Sequence, residues 1–180
     1  MIYYIGDMHL GHANVIRHDS RPFSNVDEMN EALINNYNSI VTDKDDVYFV
    51  GDVIFKNYSY AIELLQRLKG KKHLVIGNHD KSNMKKKEFR DCFIDCKDYY
   101  DIKDGNDRVI ISHYPMIEWD GYFRGSYHVY AHIHNNIHNA AKQMMQLERA
   151  LNSGCMINNY IPVTLKQMII NNQIFKEQNK

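Results

Sequence analysis

The chain has 180 residues, 44% of them hydrophobic and 24% charged, and its 22 Lys+Arg balance its 22 Asp+Glu. Zero net charge argues against a strongly basic nucleic-acid binder, and no apolar run approaches the roughly 18 residues of a membrane span. The length predicts one domain over residues 1–180 whose core needs no staples.

Three cysteines without a Cys-x-x-Cys pair point to reduced thiols rather than a disulfide framework. The spacing of Cys92 and Cys96 suits one helix face. The N-terminus Met1-Ile2-Tyr3-Tyr4-Ile5-Gly6-Asp7 has neither a basic region nor a long apolar stretch. A cytoplasmic protein is therefore expected. Ten histidines are the anomaly of the composition and invite a search for metal or acid–base chemistry.

In chain order, the first apolar run is Ile2–Gly6, ending at Asp7. Residues Val26 to Ile40 carry Val26, Met29, Leu33, Ile34, Tyr37 and Ile40 at helical spacing, with Asn25 or Asp27 near the cap. Val47–Gly51 is a second strand-like run, ending at Asp52. A helix is predicted over Tyr60 to Leu68, with Gly70 as its stop. His73–Gly77 ends at Asn78. Two strand-like runs between Ile94 and Ile111 flank Asp104-Gly105-Asn106-Asp107, a hairpin signal. Arg108–Ser112 ends at His113, and Tyr127–Ala131 ends at His132. A helix is expected over Asn139 to Leu151, and Pro162 is placed to open a last one from Val163 to about Asn172. Short β-branched or aromatic runs read as buried strands of a sheet covered on both faces, and their alternation with helices argues an α/β fold.

Ligands of open α/β sheets bind beyond the carboxyl ends of the strands. Five strand ends here carry Asp7, Asp52, Asn78, His113 and His132, and His9 and His134 follow two residues after their neighbours. A lone aspartate at a strand end is usually a turn residue, and a lone histidine usually a packed one. Seven such residues on five successive strand ends change that reading. Mixed imidazole and carboxylate donors suit Mn, Fe, Zn or Ni better than Mg or Ca. Seven ligands exceed one ordinary site and suffice for two metals sharing a carboxylate.

The motifs Asp7-x-His9, Gly51-Asp52, Gly77-Asn78-His79-Asp80, His113 and His132-x-His134 resemble, in order, those of the calcineurin-like metallophosphoesterase superfamily. The stretch from Asp7 to Ile16, Arg21-Pro22-Phe23, Ser112-His113-Tyr114-Pro115 with Trp119, and Pro162-Val163 resemble a small stand-alone bacterial and phage subgroup. Ala131 stands where the pattern commonly has glycine, so crowding is expected there.

The resemblance implies a four-layer α/β/β/α sandwich and two divalent transition-metal ions, Mn favoured over Fe, Zn, Ni or Co. One ion would take Asp7, His9, Asp52 and His134, and the other Asp52, Asn78, His113 and His132. It implies hydrolysis of a phosphate ester by in-line attack of a hydroxide held between the ions, with a diester favoured over a monoester. A nuclease and a non-catalytic scaffold are the remaining alternatives. His79 would assist the leaving oxygen. Asp80 would orient His79 or cap a helix.

His12, Asn14 and Arg17 are expected as substrate contacts, and Arg21 as such a contact or a loop anchor. The basic run Lys81, Lys85, Lys86, Lys87 and Arg90 reads as a solvated helix face or a steering patch for an anionic substrate, a nucleotide or nucleic acid. His18 and His73 read as structural, and His128 and His138 receive no role.

Overall fold

The computed structural model describes residues 1–55 and 58–179. Two four-stranded sheets face each other. The first takes β1 (Ile2–Ile5), β2 (Asp46–Phe49), β3 (Lys71–Val75) and β4 (Asp95–Lys97), all parallel and in that order. The second takes β5 (Tyr99–Asp104), β6 (Asp107–Ser112), β7 (Tyr127–Tyr130) and β8 (Ala150–Asn152). Its first pair is antiparallel across the two-residue Gly105-Asn106 turn, and its other pairs are parallel. The helices are α1 (Ala13–His18), α2 (Val26–Ile40), α3 (Tyr58–Gln66), α4 (Lys87–Arg90), α5 (Asn139–Gln146) and α6 (Leu165–Gln178).

The period-2 alternation of each strand builds the layers. Tyr3 and Ile5 of β1, with Val47 and Phe49 of β2, pack outward on Met29, Leu33 and Tyr37 of α2 and Leu64 and Leu65 of α3. Tyr4 and Tyr48 point the other way, into a core shared with Val109, Ile111 and Val129 of the second sheet. Ile110 and Tyr130 emerge on the far face of that sheet, where Ala141 and Met144 of α5 cover them. The result is helices, sheet, sheet, helix. Strand periodicity alone suggested one sheet; the turn between Lys97 and Tyr99 starts a second.

The helix boundaries follow local chemistry. Asn25 caps α2 by accepting from Glu28 N at 2.9 Å. The last helix begins at Leu165, not Val163, because Thr164 and Gln167 form a capping box and Val163 is held in an antiparallel bridge to Tyr4. It runs on to Gln178. The expected helix to Leu151 stops at Gln146, and Leu151 lies in β8 against Val129. A strand of three residues has no period to read. Likewise Cys92 follows α4 and Cys96 lies in β4, so they share no helix face; all three cysteines are free. His73 bridges Asp46 and Asp95 across three strands, at the end of the sheet away from Asn78. No helix among the described residues is long and apolar enough to cross a membrane.

Candidate metal centre

Parallel register sets the strand ends of β1 and β2 side by side, and the chains continue in step beyond them. Asp7 N donates to Gly51 O at 3.1 Å and His9 N to Asp52 O at 2.9 Å. Asp7, His9, Asp52, His132 and His134 all adopt positive φ between 51° and 70°. For non-glycine residues this costs about 1–3 kcal/mol each and persists only where the surroundings enforce it. Five of the seven expected ligands carry that strain.

Gly51 and Gly77 make the close approach possible. A Cβ on Gly51 would strike the His113 ring, and one on Gly77 would strike Asp52. Ala131 is accommodated from the other side: its Cβ lies where a side chain on residue 6 would be, and residue 6 is glycine.

Two triads of potential ligands result, Asp7–His9–His134 and Asp52–His113–His132. They meet at Asp52, whose Oδ2 lies 3.5 Å from His113 Nε2, 3.7 Å from His9 Nε2 and 3.9 Å from His79 Nε2. Asn78 Oδ1 lies 3.1 Å from His113 Nε2. His9 Nε2 and His134 Nε2 are only 3.2 Å apart. Asp7 Oδ2 is buried with no hydrogen-bond partner among the described residues. Converging imidazole nitrogens and an orphaned carboxylate oxygen are costly as they stand. A cation between them satisfies both, so the residues present fit divalent metal ions.

The protonation states of His9 and Asp52 agree. Burial, reinforced by His134, pushes the His9 imidazole down to about 2, which leaves its lone pair free. Burial would raise Asp52, but the hydrogen bond and charge of His113 outweigh it and hold the carboxyl at about 2.

The candidate ligands are held from behind. His113 Nδ1 lies 2.9 Å from Val50 O. His134 Nδ1 lies 2.8 Å from Asp19 Oδ1, and Asp19 is in turn bound by Arg21 Nε at 3.0 Å and Nη2 at 2.9 Å. The same guanidinium donates to Asp7 O and Met8 O, each at 2.8 Å. Arg21 is therefore a buried anchor of the Asp7 loop, not a substrate contact. Asp19 was not singled out from sequence; an aspartate after a short helix has no distinguishing pattern until the fold sets it under His134.

Asp80 departs from both sequence readings. Its fully buried carboxylate accepts from Gly77 N at 2.9 Å, Asp52 N at 2.8 Å and Val53 N at 3.1 Å. It ties the Asp52 loop to the Asn78 loop and is engaged by backbone instead of the His79 ring. Burial raises its pKa to about 6 against the pull of those hydrogen bonds. His79 N donates to Asp52 Oδ1 at 2.8 Å, and its side chain is 38% exposed.

His12 is brought near, its ring centroid 5.4 Å from that of His9 and stacked on Phe55. Asn14 and Arg17 lie exposed on α1, and no hydrogen bond or ion pair among the described residues draws them to the cluster. His128 is buried and structural: it accepts from Met116 N at 3.0 Å and lies 3.2 Å from Ile110 O. His138 caps α5.

Two His/Asp clusters joined at one carboxylate, set on strand ends of facing sheets, define a candidate metal centre on an α/β/β/α scaffold. The chain belongs to the calcineurin-like phosphoesterase family, whose model matches residues 1–143. As a member it is a metal-dependent hydrolase of phosphoric esters. It is 37% identical over 174 residues to the uncharacterized protein MJ1445 of Methanocaldococcus jannaschii, covering 93% of this chain and 89% of that one. The crystal structure of a protein of unknown function from Aquifex aeolicus, AQ665, superposes with a TM-score of 0.73 at 25% identity, covering 93% of this chain and 96% of that one.

Proposed function

We propose that the protein hydrolyses phosphodiesters with two divalent ions, manganese favoured. The observation that carries this reading is the central position of Asp52 Oδ2, within 3.9 Å of imidazole nitrogens from both triads and from His79. Asp7, His9, Asp52 and His134 would hold one ion, and Asp52, Asn78, His113 and His132 the other. Bound there, the ions supply positive charge to the phosphoryl oxygens and lower the pKa of water from about 15.7 towards about 7.

The protein's own groups do the rest. His79 is more accessible than His9, His113 or His134 and is placed to protonate the departing oxygen. Its backbone hydrogen bond to Asp52 Oδ1 keeps ring and carboxylate in register. Asp80 positions both loops through backbone N–H groups. Arg21 and Asp19 hold the Asp7 loop and the His134 ring at once. His79 opens onto a surface groove instead of a closed cavity, which leaves room for both substituents of a diester. The mixed imidazole and carboxylate donors favour manganese over magnesium. Free cysteines fit a reducing cytoplasm.

The test compares bis-p-nitrophenyl phosphate with p-nitrophenyl phosphate, using chelated protein with and without Mn²⁺. Metal-dependent turnover that favours the diester is expected. A monoester preference would replace the reading with a phosphatase, and two bound ions without turnover on either would overturn the general diesterase reading in favour of a narrow substrate or a non-catalytic role.

A further inference from the structure

The basic run after Asp80 has no part in the metal centre, yet the fold delivers two of its lysines to that centre's rim. Asn83 N and Met84 N both bond to Asp80 O, at 2.9 and 3.0 Å. The turn is thereby pinned to the residue that ties the ligand loops together. Asn83 is buried beneath it, while Lys81 and Lys85 face outward. These two line a groove of about 430 Å³ with Ser82, Asn78, His79 and Phe55.

The neighbouring cations are otherwise engaged. Lys87 pairs with Asp91 at 2.6 Å, and Arg90 donates to Met84 O at 2.6 Å. Among the described residues no carboxylate pairs with Lys81 or Lys85. Phe55 lines the same groove, its ring edge-on to His79 at 5.1 Å and stacked on one side by His12. Two cations with no carboxylate partner among the described residues thus share one groove with an aromatic ring and with His79.

We infer that this groove binds the leaving group, and that the preferred substrate is a phosphodiester whose leaving group carries a further phosphate, as in a phosphorylated dinucleotide or a single strand. The inference rests on the phosphodiesterase reading. An anion in the groove meets Lys81 and Lys85 at Coulombic range, and the ring between it and the scissile phosphorus is matched by Phe55. A leaving group without the second phosphate forfeits the lysine contacts and gains nothing in exchange.

The test uses manganese-loaded full-length protein with the dinucleotides TpT, pTpT and TpTp, beside bis-p-nitrophenyl phosphate. Whichever oxygen departs, one of the two phosphorylated dinucleotides places its extra phosphate on the leaving side. That one should exceed TpT in kcat/KM by about tenfold at low ionic strength, as two partly exposed ion pairs allow. The advantage should shrink with salt. In Lys81→Ala/Lys85→Ala the ratio to TpT should fall to about one, and Lys81→Arg/Lys85→Arg should restore it. A twelve-residue oligothymidylate cleaved better still, with the same lysine dependence, would identify a single strand as the source of that phosphate. Equal rates for all three dinucleotides, no cleavage of any of them, or a preference that survives the alanine variant, would overturn the inference. Failure on bis-p-nitrophenyl phosphate as well would overturn the phosphodiesterase reading itself.

Discussion

Asp19 offers the sharpest test of how the metal centre is held. Its side chain is 2% exposed and that of Arg21 is 0% exposed. One carboxylate receives Arg21 through two nitrogens and contacts His134 Nδ1 at 2.8 Å. Burial would push the carboxyl up, but the His134 hydrogen bond and the Arg21 guanidinium prevail and hold it below the usual carboxylate range. It is therefore an ionised acceptor that sets the His134 tautomer and adds electron density to the ring. Asp19→Asn keeps the shape and removes the charge. Partners of metal-ligating histidines are typically worth 10- to 100-fold in metal affinity, so Mn²⁺ should bind about 10- to 100-fold more weakly at the Asp7–His9–His134 site. Affinity at Asp52–His113–His132 should change far less. Folding should weaken by about 1.5–3 kcal/mol, the worth of a hydrogen bond to a charged group. Asp19→Ala should cost more, about 3–5 kcal/mol, because it leaves the buried Arg21 charge with backbone carbonyls but no counter-charge. Calorimetric Mn²⁺ titration resolves the two sites and thermal melts report the fold. Wild-type affinity at both sites in a folded Asp19→Asn protein would refute the reasoning.

His79→Ala should keep two Mn²⁺ per chain while turnover on substrates with poor leaving groups falls by about 10²- to 10⁴-fold, and turnover at the wild-type rate would remove His79 from the mechanism. Chelation should lower the melting temperature by about 10–20 °C relative to protein with both sites at a hundredfold excess of Mn²⁺ over their dissociation constants; an unchanged melt alongside demonstrated binding would show that the strained loops gain nothing from the ions. The buried His128 imidazole is pushed down to about 4 by burial. The unfolded chain takes up its proton below about 6.5 while the folded chain resists until about 4, so the neutral ring's contribution is whole above pH 6.5 and is lost as the pH falls through that window, up to about 3 kcal/mol. Denaturant titrations at pH 7 and pH 4.5 on metal-free wild type and His128→Gln should show a smaller acid loss in the variant, whose amide can serve both Met116 N and Ile110 O; equal losses would assign the effect elsewhere.

The convergence of the candidate ligand residues was legible because they occur at a repeated topological position. Each follows an apolar run, and the end of a parallel strand is where side chains converge. The amphipathic helix over Val26–Ile40 and the Gly105-Asn106 turn were legible for a related reason, since their periodicity and turn chemistry are local. β4 and β8 were not, because three residues carry no period and their place is set by pairing with β3 and β7.

The amino-acid sequence by itself determined which residues stand at the strand ends, and through them the metal-binding character of the centre. Only the tertiary structure decided what lies behind those residues. Asp19 meets His134 across 115 positions, His113 Nδ1 meets a backbone carbonyl 63 positions away, and Asp80 is engaged by backbone N–H groups instead of the neighbouring His79. The reason is physical. A strand-end motif is a local pattern of residue types, whereas the partner of a buried hydrogen-bonding group is chosen by whichever donor or acceptor the packed layers bring within about 3 Å.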